Sequence, residues 1–358
     1  MTDAVRPAPS TLKKLGWASA ATIFALLFVE GCASIVVAFR DLTPPAADGF
    51  AGESKNCEYD ADLGWALAPN LAVDPYRRPG TTFTTDSRGF RGVVETTTEV
   101  PEGSFRVVCI GDSFTLGFGV GDHETFPHHL GALGPGIDVV NMGVSGYGVD
   151  QIYLSYLKRG AEIDANLLLY CVIEDDFRRM MFDRFGDNYS KPWLELIDGE
   201  LAIRNVPVPE VGRSSRGASR LREFVGRLGV GRLIPKRSLE ERWSASEAVA
   251  EFLFSDLAAR CRARDMGFAL VLLPTHEEVT KGFAPKSRWL ADVAREAEFH
   301  FLDLTPDLVR LEPDQVPLHF RLRAGDRHYT GRGNKLVART LLERLSSFEL
   351  LPRDDRDG

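Results

Sequence analysis

A hydroxyl, an imidazole and a carboxylate held in a row suffice for acyl transfer. The ring removes the hydroxyl's proton, the oxygen attacks a carbonyl carbon, and the carboxylate steadies the ring. The 358-residue chain carries such a set in two distant places, Ser113 within Gly111-Asp112-Ser113-Phe114-Thr115 and the pair Asp326 and His328 within Asp326-Arg327-His328. On an extended turn, alternate residues face the same way, so Asp326 can hold the ring of His328 while that ring reaches a hydroxyl. Read alone, a Ser in the place of Ser113 is more often a helix N-cap than a nucleophile. The Asp-x-His pair at the other end of the chain makes it the candidate nucleophile.

The elements that must position these residues follow from the pattern around them. Phe105 to Ile110 is an apolar, β-branched run stopping at Gly111, which reads as a buried strand ending at a turn. A residue just past such a strand sits at the carboxyl edge of an open α/β sheet, where those folds place ligands. Further strands are expected at Ile137 to Met142, Asn166 to Ile173, Phe268 to Leu273 and Phe299 to Leu304. Helices are expected at Thr125 to Leu133, from Asp150 to the Gly160 stop, at Ser246 to Asp265 and around Trp289 to Ala297. Alternation of this kind predicts an α/β fold with a parallel sheet covered on both faces. Asp183 to Trp243 interrupts the rhythm; Pro192 to Val208 reads as a hairpin turning at Asp198-Gly199 and Ser219 to Leu228 as a basic amphipathic helix. Such an insertion is either a substrate-selecting lid or a surface decoration.

With these blocks in view, the chain resembles the SGNH (GDSL) hydrolase family over roughly Phe105 to Leu345, and upstream to about Tyr59. The shortened Asp326-Arg327-His328 spacing resembles the membrane-anchored branch of polysaccharide esterases and O-acetyltransferases. The resemblance implies a three-layer, flavodoxin-like fold with a five-stranded parallel sheet in the order 2-1-3-4-5. It implies Ser113 as nucleophile, with its own backbone N–H donating to the oxyanion. Gly146 in Val139 to Gly148 (VVNMGVSGYG) takes the position of a second donor, with Gly143 three residues earlier. Asp326 and His328 complete the triad. The third block departs from the pattern: where the family carries a donor Asn, Val172 to Phe177 (VIEDDF) places Asp175.

Losing one oxyanion donor costs about 3 kcal/mol of transition-state stabilisation. Three outcomes are open: Asp175 is protonated because Glu174 and Asp176 crowd it, it turns away while another donor replaces it, or the site is slow or inactive. The function implied is a serine-dependent acyl ester hydrolase acting outside the cytosolic membrane, on an acylated (acetylated) carbohydrate or a small or lipid ester. The alternatives are an O-acyltransferase of envelope polysaccharide and a catalytically weak polysaccharide-binding module. No metal or organic cofactor is implied.

The remaining sequence bounds that reading. A net charge of −8 and the absence of a basic stripe argue against a nucleic-acid partner. The five cysteines, Cys32, Cys57, Cys109, Cys171 and Cys261, show no C-x-x-C spacing. Residues 15–39 are almost uniformly apolar, with Glu30 as their one charge and Arg6, Lys13 and Lys14 before them. This predicts an uncleaved single-pass membrane anchor with a cytosolic tail at 1–14 and the large domain outside. Gly31-Cys32-Ala33 leaves a cleaved or lipidated leader as the rival. Residues 40–58 read as a linker, 59–104 as an extension that walls the site or covers a sheet edge, 105–350 as the hydrolase-like domain with its insertion at 183–243, and 351–358 as a tail. His123, His128 and His129 have no recognised metal-ligand spacing and read as a helix-capping loop. His276, after the fourth strand, is either a substrate contact or a solvated loop residue. Gly117, Gly119 and Gly121 form no nucleotide-binding motif, and the G-x-S-x-G elbow is absent.

Overall fold

The computed structural model describes residues 19, 21–32, 56–186, 189–209, 239–321 and 326–352. The chain divides into two compact units, Met1–Ala51 with Arg213–Ser238, and Gly52–Gly212 with Leu239–Gly358. In the first, residues 21–32 are helical. The transmembrane helix expected over 15–39 finds no support: its ends lie outside the described residues, and no helix among those described is long and apolar enough to cross a membrane. The helix expected at Ser219 to Leu228 also lies outside them.

The second unit is built on five parallel strands: β1 Phe105–Gly111, β2 Ile137–Gly143, β3 Leu167–Val172, β4 Gly267–Leu272 and β5 His300–Asp303. They lie in the order β5-β4-β3-β1-β2, the expected 2-1-3-4-5 read from its other edge. Registers such as Cys109 opposite Asn141 on one side and Leu169 on the other place the apolar runs side by side. Alternate side chains then face opposite layers. Val107, Cys109, Leu169 and Val271 pack with Phe126 and Leu130 of helix α2 (Phe126–Leu133) and with Val337, Leu341 and Leu345 of helix α8 (Gly331–Ser347). On the other face Tyr170 meets Phe254 of helix α5 (Leu239–Arg262) edge-on, with ring centroids 5.1 Å apart. Helix α3 (Val149–Ser155) widens into a π-turn over Tyr156–Gly160, where a plain helix is expected.

The hairpin in the insertion is present, Trp193–Ile197 pairing with Glu200–Arg204. Asp198 (φ 52°) and Gly199 (φ 84°) supply the two left-handed residues that such a tight turn requires. Its root is fastened by Lys191, whose ammonium reaches Asp150 at the start of α3 and the carbonyls of Phe182 (3.2 Å) and Pro192 (3.0 Å). Both charged side chains are fully buried.

The extension over 59–104 both caps an edge and reaches the turn after β1 that carries Ser113. Arg91 donates its backbone N–H to Asn141 on the edge strand β2, at 3.0 Å. Its buried guanidinium pairs with Asp122 at 3.1 Å and donates to the carbonyls of Leu116 and Gly117 at 2.8 Å and Val120 at 2.6 Å. One side chain thus satisfies the carbonyls left open where the short helix after β1 stops. Replacing Arg91 by Met leaves Asp122 buried without its cation, a change that costs about 3–5 kcal/mol in comparable pairs. We expect a loss of that size in urea unfolding of Arg91→Met, and a smaller one when Asp122→Leu is added.

Candidate active site

The turn after β1 is held from three sides. Helix α1 (Ser113–Leu116) is capped by Asp112, whose Oδ1 accepts the Phe114 N–H at 2.9 Å. Asn141 of β2 donates to the Thr115 carbonyl at 3.0 Å. Gly143, at the end of β2, lets the turn approach: a Cβ there would lie 2.1 Å from the Leu116 nitrogen. Ser113 is buried, and its hydroxyl points along the carboxyl edge of the sheet toward the segment that precedes α8.

That segment carries Asp326 and His328, and the structure brings both to Ser113. His328 Nε2 lies 2.8 Å from Ser113 Oγ, and His328 Nδ1 lies 3.0 Å from Asp326 Oδ1. Burial raises the carboxyl of Asp326, but its hydrogen bond from His328 and the charge of Arg321 outweigh this and hold it below the usual carboxylate range. An ionised carboxylate can only accept, so Nδ1 carries the ring hydrogen and Nε2 presents its lone pair to the serine. The ring is sandwiched by Phe114 and Phe118, with centroids 4.8 and 4.6 Å away, which fixes its plane.

Arg321 is a member of the site that the sequence does not announce. Its Nη2 lies 2.5 Å from Asp326 Oδ2 and its backbone N–H donates to the His328 carbonyl at 2.8 Å, so it fixes both ends of the Asp-x-His turn. Its guanidinium passes over Gly119 (φ 82°), where a Cβ would fall 1.1 Å from Nη1. The glycine that matches no nucleotide motif is therefore explained by the arginine crossing it.

The two other expected members fare differently. Gly146 lies in the loop after β2 with φ 80°, a left-handed conformation that glycine takes without penalty. Among the described residues neither the Ser113 nor the Gly146 backbone N–H has a hydrogen-bond acceptor, as donors awaiting an oxyanion require. Asp175 corrects the expectation of a protonated donor. It opens helix α4 (Glu174–Arg179) and turns to Arg178 at 2.7 Å and Arg179 at 3.2 Å, the neighbours three and four residues on. Burial raises its carboxyl, but these two cations outweigh that and leave it below the ordinary range. The crowding acts on its neighbours instead: burial and then Glu278 push Glu174 up to about 7, and burial and then Asp112 raise the fully buried Asp176. One Glu174 carboxyl oxygen, Oε2, is buried without a hydrogen-bond partner among the described residues.

His276 begins helix α6 (His276–Lys281), with Nδ1 3.5 Å from Arg327 between the two triad residues. His123 and His128 stack edge-on at 4.7 Å beside the Arg91–Asp122 pair, and no cluster of metal-ligating side chains occurs among the described residues.

No family model and no curated protein matches the chain. Among solved structures it is similar to a member of the lipolytic protein G-D-S-L family from Veillonella parvula DSM 2008, at 14% identity over 68% of this chain and 99% of that one, with a TM-score of 0.41. It is similar to an acetyl xylan esterase at 11% identity, over 67% and 100% of the two chains, with a TM-score of 0.41. An acetyl-xylooligosaccharide esterase from Geobacillus Stearmophilus aligns at 15% identity over 72% and 99%, again with a TM-score of 0.41. The first of these descriptions names the family that the sequence resembles; likeness at this level adds no weight to the geometry of the site.

Two measurements probe this geometry. Gly119→Ala displaces Arg321 and frees Asp326, so if the relay turns over an acyl ester such as p-nitrophenyl acetate, kcat should fall about tenfold to a hundredfold, and Arg321→Met should fall by a similar factor with Gly119 in place. Glu174 bears on stability. Its raised carboxyl means that the folded chain binds more proton than the unfolded one between the ordinary glutamate range and about 7, so stability is highest below that window and falls as pH rises through it. Urea midpoints should therefore drop between the ordinary glutamate range and about pH 7, and Glu174→Gln should flatten that drop.

Proposed function

We propose that the chain is an SGNH-type serine esterase that cleaves acyl esters, with acetylated carbohydrate as the substrate class. The observation that carries this reading is the continuous relay from Ser113 Oγ through His328 to Asp326, closed by contacts of 2.8 and 3.0 Å. His328 Nε2 takes the Ser113 proton as the oxygen attacks the ester carbonyl. The resulting oxyanion accepts from the backbone N–H groups of Ser113 and Gly146. His328 then gives the proton to the departing alkoxide, leaving an acyl-serine. A water molecule repeats the sequence, His328 accepting its proton and returning it to Ser113 as the carboxylic acid leaves. Asp326, steadied by Arg321, keeps the ring in the tautomer that both steps need.

The substrate class rests on the resemblance of the Asp326-Arg327-His328 block to polysaccharide esterases, and attachment to the cytosolic membrane with the enzyme outside rests on the apolar run at 15–39. The same relay would pass an acyl group to a sugar hydroxyl, and water and sugar compete only in the second step.

The test is hydrolysis of p-nitrophenyl acetate by the purified chain, with acetyl transfer to an oligosaccharide measured in parallel. Ser113→Ala should lose about three orders of magnitude or more, and a fluorophosphonate should label the wild type on Ser113. Carbohydrate binding without turnover or labelling would overturn the enzymatic reading in favour of a binding module.

A further inference from the structure

Asp112 poses a problem for its neighbour. Its side chain is fully buried, and while Oδ1 caps α1, Oδ2 lies 3.2 Å from Ser113 Oγ. The serine has one hydrogen and two acceptors in reach, since His328 Nε2 stands at 2.8 Å. A hydrogen given to Asp112 is one that the imidazole does not remove. A bare buried carboxylate here would also repel the negative oxygen that forms at the neighbouring backbone N–H groups, in a site where Asp175 supplies no amide donor.

Arg179 meets this problem from the last turn of α4. Its Nη1 lies 3.0 Å from the same Asp112 Oδ2, 3.0 Å from the carbonyl of Tyr147 beside Gly146, and 2.6 Å from Asp176 Oδ1, while Nη2 reaches Asp175 at 3.2 Å. One guanidinium thus touches the nucleophile turn, the loop after β2 and the start of α4, the three blocks that enclose the oxyanion position. Arg178, next to it, is largely exposed and reaches only Asp175 among these groups.

We propose that Arg179 is a positioning residue for Ser113: by holding Asp112 Oδ2 it leaves the serine hydrogen to His328, and its charge offsets the buried carboxylates beside the forming oxyanion. This rests on the esterase reading above. Asp112, Tyr147 and Asp176 share the two hydrogens of Nη1 while Asp175 takes Nη2, so the contacts are spread over two nitrogens of one delocalised cation, which a lysine's single ammonium does not reproduce.

A merely structural Arg179 would change stability and leave the turnover of folded protein alone. The test compares wild type, Arg179→Met, Arg179→Lys, Asp112→Asn and Arg179→Met/Asp112→Asn. It measures kcat and KM on p-nitrophenyl acetate and the rate of Ser113 labelling by a fluorophosphonate, with thermal unfolding to establish that each variant is folded. Asp112→Asn keeps the helix cap, because an Asn side-chain oxygen accepts the same N–H. Arg179→Met should lose on the order of a hundredfold in kcat and in labelling rate with KM nearly unchanged, and Arg179→Lys should fall between. Adding Asp112→Asn to Arg179→Met should recover about tenfold or more, since the competing acceptor's charge is gone. A folded Arg179→Met with wild-type kcat, or a double variant no faster than the single one, overturns the proposal. Where Arg179→Met does not fold, the double variant is compared with Asp112→Asn alone. Similar kcat values support the proposal, and a gap of about a hundredfold overturns it. A wild type that neither turns over ester nor takes the label overturns this inference together with the esterase reading, whereas an active wild type indifferent to Arg179 overturns this inference only.

Discussion

The contact between His328 Nε2 and Ser113 Oγ spans 215 positions of sequence, and the rest of the site exists to keep it short. A hydrogen bond between two side chains contributes little by itself in water, on the order of 1 kcal/mol. It persists here because each partner is already fixed. Ser113 follows a buried interior strand of a five-stranded sheet. The ring of His328 is gripped between Phe114 and Phe118, and its far nitrogen is tied to Asp326. The cost of ordering the pair is thus met by packing of the sheet and of α8 rather than by the contact itself.

Charge is distributed around that contact with a consistent logic. Three arginines, Arg91, Arg179 and Arg321, come from three different parts of the chain and each satisfies groups that the nucleophile turn or the Asp-x-His turn leaves open. Each offers several donors in one plane, which suits sites where carbonyls and carboxylates converge from different directions. The acidic run Glu174 to Asp176 shows the reverse case. Three consecutive carboxylates on a helix face three directions, so one is ionised by cations a turn away while its neighbours are driven toward neutrality by burial.

The sheet was legible because β-branched apolar runs between turn residues leave few alternatives; β1 to β5 fall within a residue or two of the runs that announce them. The long helix α5 is already helical at Leu239, ahead of the expected Ser246, since its described first turns carry Glu240, Glu241 and Arg242 and lack an apolar period. Ser113, Asp326 and His328 were readable from residue type and spacing. For Asp175 three outcomes stayed open because adjacency to Glu174 and Asp176 suggests mutual repulsion, whereas Arg178 and Arg179 at helical spacing were the available sign that it would turn to them. Arg91 and Arg321 left no such sign: their partners are far away in sequence, and only the unexplained Gly119 hinted that something passes over it.

The anchoring of the insertion carries a further implication. With Lys191 sunk against Asp150, the base of the hairpin is welded to the same helix that follows the Gly146 loop. The hairpin's root therefore belongs to the rigid body of the domain and cannot serve as a hinge. Exchanging this segment for that of another protein would have to bring a counterpart for Asp150 with it, or leave a lone anion in the interior, so the two stretches form one inheritable module although Asp150 and Lys191 stand 41 positions apart.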